Sequence, residues 1–177
     1  MKLTISEIEN KLYAHIVKNI MDWIRKKTRG SEERELTDII KKLNDYSIVS
    51  RIVRLKKYYD LPPEVVKSNI SPEFSGLGRR FIDSMCEAAD SAEVFRLVRA
   101  SRYGRLIENI DDDNITGIGP RVQYRISRKN IHFSTNPSVV MLSFMFLSET
   151  ELMNVISLIE GIRYGLDPKV IQSLIIH

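Results

Sequence analysis

Three kinds of side chain in this sequence could do chemistry unaided: one thiol, three imidazoles and a run of carboxylates. Cys86 is the only cysteine, so no disulfide can form within the chain. It stands in Met85-Cys86-Glu87-Ala88, which reads as half-buried helix. A reactive thiolate needs basic neighbours, and Asp83 and Glu87 supply the opposite charge. Cys86 is therefore expected to be an inert packing residue. His15, His132 and His177 have no second ligand at metal-binding spacing. His15 lies beside an apolar helix face and reads as a boundary residue. Asp111-Asp112-Asp113 lacks the glycine and the distal glutamate of a calcium loop. Gly117-Ile118-Gly119-Pro120 lacks a third glycine and puts proline where a helix N-terminus would donate amides, so it reads as a turn. No phosphate loop of the G-x-x-x-x-G-K-[ST] type is present. No serine or cysteine sits in a recognisable nucleophile context. With no converging acid, base and nucleophile, neither enzymatic activity nor a cofactor or metal is expected.

What remains is charge. Arg51, Arg54, Lys56 and Lys57 fall on one helical segment. Arg96, Arg99, Arg102 and Arg105 fall on a second, and Arg121, Arg125, Arg128 and Lys129 on a third. Three-residue spacing on a helix gives a sloping stripe on one face. Such a stripe is either simply solvated or docks onto an acidic protein or anionic headgroups. The candidate docking residues are Arg51, Arg54, Arg96, Arg99, Arg102 and Arg105. Net charge is only +4, from 27 basic and 23 acidic residues. That near balance argues against nucleic acid, although the arginine stripe with Tyr103 and Tyr124 keeps a basic nucleic-acid-binding domain as an alternative. A helical adaptor of another complex is the remaining one.

The elements that carry these residues read as helices. The 177 residues suit one domain or two small, closely packed ones. Ile5, Ile8, Leu12, Ile16, Ile20 and Trp23 recur at steps of three and four, which marks one helical face. Ser6 with Glu9 forms a capping box near its start, and Lys26-Lys27-Thr28-Arg29-Gly30 ends it with cations and then glycine. A second helix follows Ser31 with Leu36, Ile39, Ile40 and Leu43. A third runs from about Tyr46 to Tyr59, with Ile48, Val49, Ile52, Val53 and Leu55 inward. Pro62-Pro63 stops it and opens a short helix. Residues 71–78 read as loop, and helices follow on Phe81-Ile82-Met85 and after Asp90-Ser91. The run from Asp111 to Pro120 is the strongest break. It divides helical modules over residues 1–110 from a C-terminal module over 121–177, with 111–120 as the connecting loop. Val122, Tyr124 and Ile126 alternate as a strand would, but a lone strand has no partner, so helix or irregular structure is favoured. Helix resumes after Pro137, and the capping box Ser148-Glu149-Thr150-Glu151 is a point where it could break and restart. Glu7 arrives too early for a signal sequence, and Val139 to Leu147 falls far short of the roughly 20 residues that span a bilayer. A cytoplasmic protein is expected.

One stretch repeats at a constant offset of 105. Leu61-Pro62-Pro63-Glu64-Val65-Val66-Lys67-Ser68-Asn69-Ile70 aligns with Leu166-Asp167-Pro168-Lys169-Val170-Ile171-Gln172-Ser173-Leu174-Ile175. Each copy follows a helix that ends on tyrosine, Tyr59 or Tyr164. Arg102-Tyr103-Gly104 echoes Arg163-Tyr164-Gly165 a third time. A long helix, a tight turn and a short proline-started helix make a repeated unit, which builds a scaffold surface rather than a pocket.

The order of three segments resembles the C-type, or d-like, stalk proteins of archaeal and vacuolar-type rotary ATP synthases. They are Asp45-Tyr46-Ser47-Ile48-Val49 leading into Arg54 to Glu64, Ala89 to Val94 leading into Arg99 to Gly104, and Asn136 to Val140 leading through Ser148 to Asn154 and on to Pro168. The resemblance implies an all-α, compact multi-helix protein built from repeated modules, shortened relative to the family's three. It implies a non-catalytic member of the central stalk, peripheral to the cell membrane on its cytoplasmic side. Such a protein couples the rotor shaft to the proteolipid ring in proton-driven ATP synthesis or hydrolysis. Its partners are therefore the other ATP synthase subunits, its membrane contact is indirect and it has no small-molecule substrate. Two departures stand out. Ser148 replaces the lysine usual before Glu-x-Glu, and Ile156 replaces an arginine common after the asparagine.

Overall fold

The computed structural model describes residues 5–59, 61–104 and 118–177. Among them there are eight helices and no strand, an all-α architecture. The chain packs as two compact units, residues 1–118 and 119–177. The first holds α1 (Ile5–Lys27), α2 (Gly30–Tyr59), α3 (Pro63–Ser68), α4 (Arg79–Glu87) and α5 (Ser91–Ala100). The second is built from α6 (Ile118–Phe133), α7 (Pro137–Arg163) and α8 (Pro168–Leu174).

In the first unit α2 is the spine, with α1 and α5 packed along it and α3 against α4. The break between α1 and α2 is chemically closed. Thr28 Oγ1 donates to the Ile24 carbonyl, which also accepts from Thr28 N, and Arg29 Nη1 donates to the Arg25 carbonyl, in the last turn where carbonyls lose their helical partners. The core of this unit gathers Met21, Ile24, Tyr46, Ile52, Val53 and Met85, with Val94 and Val98 from α5.

Sequence and structure differ at three places. The second and third expected helices are one continuous 30-residue helix. Asn44-Asp45 reads as a break, yet both side chains are buried and their polar groups are satisfied by the loop after α3, so the backbone runs on undisturbed. Likewise α7 does not restart at its internal capping box. Thr150 Oγ1 donates to the carbonyl of Phe146 one turn back, a bond that a continuing helix accommodates. Helix α6 begins at Ile118, so Gly119 and Pro120 belong to its first turn rather than to a loop; the rest of the expected connecting loop, residues 111–117, lies outside the described residues. The alternating run from Val122 is helix, burying Val122 and Ile126 one turn apart with Ser127.

The repeat has the same geometry in both copies. Pro62 before α3 has φ −58° and ψ 149°, and Asp167 before α8 has φ −55° and ψ 136°. Ser68 Oγ donates to the carbonyl of Val65, and Ser173 Oγ to that of Val170. Ile70 N donates to Lys67 O as Ile175 N does to Gln172 O. Val66 and Ile171, which occupy the same place in the two copies, are both buried. The turn ahead of α8 is a Schellman closure. Leu166 N donates to Gly161 O at 2.9 Å and Gly165 N to Ile162 O at 3.1 Å, with Gly165 at φ +65°. A side chain at that φ costs about 1–2 kcal/mol. Gly165→Ala is therefore expected to lower the thermal midpoint of the second unit by several degrees while Gly78→Ala, at φ −65°, does not.

Candidate docking surface

The strongest polar construction in the molecule is internal. Asp45, 2% exposed on α2, accepts from three neighbours in the loop after α3: Ser75 Oγ at 2.6 Å, Gly76 N at 2.8 Å and Leu77 N at 3.4 Å. Its other oxygen accepts from Tyr103 OH at 3.0 Å. Arg102 Nη2 donates to Gly76 O and to Tyr103 OH, both at 2.8 Å, and its guanidinium lies over the Tyr103 ring. Tyr46 OH donates to the Tyr103 carbonyl, and the two rings meet edge to face. Burial raises the Tyr103 phenol above its ordinary pKa, against the lowering influence of its bond to Arg102. This network fastens the loop, α2 and the end of α5 into one piece.

The candidate arginines do not form one stripe. Helix α5 ends at Ala100, so Arg102 sits in the turn beyond it and is committed to the network just described. Arg105 lies outside the described residues. Arg96 and Arg99 are exposed on α5, with Arg99 over the Phe95 ring. On α2, Arg54 is exposed and Arg51 is half-buried. Burial lowers the Arg51 pKa, Glu9 partly offsetting it. No group of three His, Cys, Asp or Glu among the described residues is placed to hold a metal.

What spacing alone did not reveal is that the best apolar faces point outward. On α1 the buried set among the described residues is Asn10, Val17, Met21 and Ile24, with Thr28 just beyond its end. The regular stripe Ile8, Leu12, Ile16, Ile20 and Trp23 is exposed instead, Leu12 at 59% and Trp23 at 58%. On α7 only Val139, Ser143, Thr150 and Gly161 are buried. Leu152, Val155, Ile156, Ile159 and Ile162 form an exposed ridge along its second half. Isolated exposed apolar residues are ordinary, but contiguous stripes mark surfaces that another molecule covers. By length and composition α7 is also able to cross a membrane. Glu149 and Glu151 stand at its middle, where each carboxylate would cost about 3 kcal/mol in a bilayer.

Cys86 is fully buried, and desolvation first and Asp83 second push its thiol up to about 11. The native protein is expected to resist alkylation at pH 8 and to become reactive only in denaturant, as a timed iodoacetamide assay would show. The same shift has a sign. The unfolded thiol ionises near pH 9.0 while the folded one keeps its proton, so the native state binds more protons and stability falls as pH climbs from 9 to 11.

A long helix followed by a short proline-started helix, present twice, together with outward apolar ridges on α1 and α7, defines a modular helical scaffold. Its relatives are recognisable from the sequence as a whole. Residues 2–174 match the ATP synthase (C/AC39) subunit family, and the chain belongs to that family. No curated protein and no solved structure matches it.

Proposed function

We propose that this chain is the non-catalytic member of the central stalk that joins a rotor shaft to the proteolipid ring of an A/V-type ATP synthase. The observation that carries the reading is the pair of unpartnered apolar stripes, Ile8 to Trp23 on α1 and Leu152 to Ile162 on α7. A torque-transmitting adaptor must bind two protein surfaces firmly, and apolar helix faces are how helical proteins do so. The two carboxylates at the centre of α7 favour a protein cover for that helix over a lipid one. Rigidity suits the same role: the Asp45 network and the Schellman turn both fix the geometry between long and short helices.

The test is affinity capture of the tagged full chain from gently solubilised native membranes. The shaft and proteolipid proteins are expected to co-elute. Leu12→Asp with Ile16→Asp on the exposed stripe is expected to abolish capture of one partner without altering the circular-dichroism melt, because neither side chain is in the core. A chain that elutes alone from membranes containing the assembled enzyme would contradict the reading.

A further inference from the structure

The second unit carries a surface that neither the stripes nor the repeat uses. Between Ile118 and Ser148 the sequence contains no aspartate or glutamate; the first is Glu149. The same segment holds Arg121, Arg125, Arg128 and Lys129. The structure gathers much of this charge in one shallow groove along α6, lined by Tyr124, Arg125, Arg128, Lys129, His132 and Phe133, with His177 at its edge. Arg128, Lys129 and His132 are exposed there. Phe133, the last residue of α6, is 79% exposed.

Directly across the short 134–136 link the chemistry becomes apolar. A second open groove at the start of α7 is lined by Ile131, Thr135, Pro137, Val140, Met141 and Phe144, and is almost without polar surface. Met141, Phe144 and Met145 are all more than half exposed. A cationic groove and a cluster of exposed aromatic and thioether side chains thus meet at one helical corner.

We propose that the α6–α7 corner binds an anionic phospholipid surface directly, with Arg125, Arg128 and Lys129 on headgroup phosphates and Phe133, Met141 and Phe144 in the interfacial layer. A basic helix edge beside exposed aromatic and aliphatic side chains is what binds at a membrane interface, where each basic residue adds about 1 kcal/mol. Charge complementarity selects an anionic surface, because no carboxylate dilutes the segment. The apolar neighbours select lipid over a free polyanion. Nucleic acid or an acidic peptide could pair with the cations but would leave Met141 and Phe144 in water. The contact is a direct one, additional to any through a proteolipid ring, and does not depend on the coupling role.

The full chain is tested by flotation with vesicles of phosphatidylcholine alone and with roughly one-third phosphatidylglycerol. Binding is expected only to the anionic vesicles and to fall steeply as salt is raised. Arg128→Gln with Lys129→Gln, at two exposed positions, is expected to weaken it about 30-fold. Phe133→Ser with Phe144→Ser is expected to weaken it at least about tenfold. Both pairs should leave the thermal melt unchanged, which separates lost binding from lost fold. Duplex DNA and polyglutamate at matched charge serve as competitors. No flotation, equal binding to neutral vesicles, or tighter binding to either competitor overturns the proposal. Absence of vesicle binding while the shaft and ring proteins are still captured overturns it alone, leaving the stalk reading untouched.

Discussion

Asp45→Ala should destabilise the first unit by about 3–5 kcal/mol, the largest effect expected of any single change outside the apolar core. The carboxylate receives Ser75 Oγ, Gly76 N, Leu77 N and Tyr103 OH, and it does so at 2% exposure. Alanine leaves Ser75 Oγ, Gly76 N and Tyr103 OH without this acceptor, while Leu77 N keeps Ser75 Oγ at 3.0 Å. An abandoned buried donor costs about 1–3 kcal/mol, far more than the net worth of an ordinary hydrogen bond. Partial entry of water keeps the total below a simple sum. In a unit of this size a loss of that order lowers the melting midpoint by at least about 10 °C. Tyr103→Phe removes one of the bonds to Asp45 and the bond from Arg102, which still holds Gly76 O, and keeps the ring packing against Tyr46, so its cost is expected at about 1–2 kcal/mol. Asp45→Asn should fall between, because the amide retains an acceptor for the loop but presents a donor to the tyrosine hydroxyl. Thermal melts of the three variants test the ordering. An Asp45→Ala midpoint within about 2 °C of the parent protein would show that the loop is held by packing rather than by this carboxylate.

The same residue explains where sequence reasoning fell short. Ile48, Val49, Ile52, Val53 and Leu55 were legible as a core face because their period matches a helix, and all five are buried. Asn44-Asp45 read as a gap between helices because local propensity carries no information about a loop thirty residues downstream. Long-range hydrogen bonds to Glu73 and Gly76 turn a helix breaker into a helix anchor. The α1 stripe shows the opposite limit. Its period was correct, but periodicity reports an apolar face without saying what covers it. Here Val17, Met21 and Ile24, a shorter set at the same spacing, are buried in the unit's own core. In a component of a larger assembly the longer face can be the one reserved for a partner. The arginine spacing shows a third limit: Arg102 continues the helical stripe in sequence, but α5 stops at Ala100, two residues earlier. The short proline-started helices of the repeat, by contrast, were legible, since proline at a helix start and serine near its end act locally and act alike in both copies.

The second unit has so little core of its own that one contact governs its short helix. Its buried apolar residues are few: Val122, Ile126, Val139 and Ile171. Ile171 is the residue of α8 that seats on α7, and it does so over Gly161. A Cβ built at Gly161 would lie 2.7 Å from Ile171 Cγ1 and 3.0 Å from Cδ1. The close approach exists because position 161 has no side chain. Cδ1 can turn away, but Cγ1 is bonded to the branched carbon of Ile171, whose χ1 is stiff, so Gly161→Ala needs a small outward shift of α8. The roughly 1 kcal/mol that alanine gains over glycine inside a helix offsets the crowding, and the change is expected to be nearly neutral. Gly161→Leu has no such escape. Its branched side chain needs the space that Ile171 fills, so α8 must lift off, at about 3 kcal/mol. Lifting α8 also strains Asn154, which donates to Ile176 O and accepts from Ile176 N, both at 2.8 Å. Hydrogen exchange should then show the amides of Ile171 and Ile176 losing protection in the leucine variant and keeping it in the alanine variant. The first unit, with Lys56 and Val66 at the corresponding positions, should be unaffected by either change. Equal exchange in the alanine and leucine variants would mean that the glycine seat is not what holds the short helix.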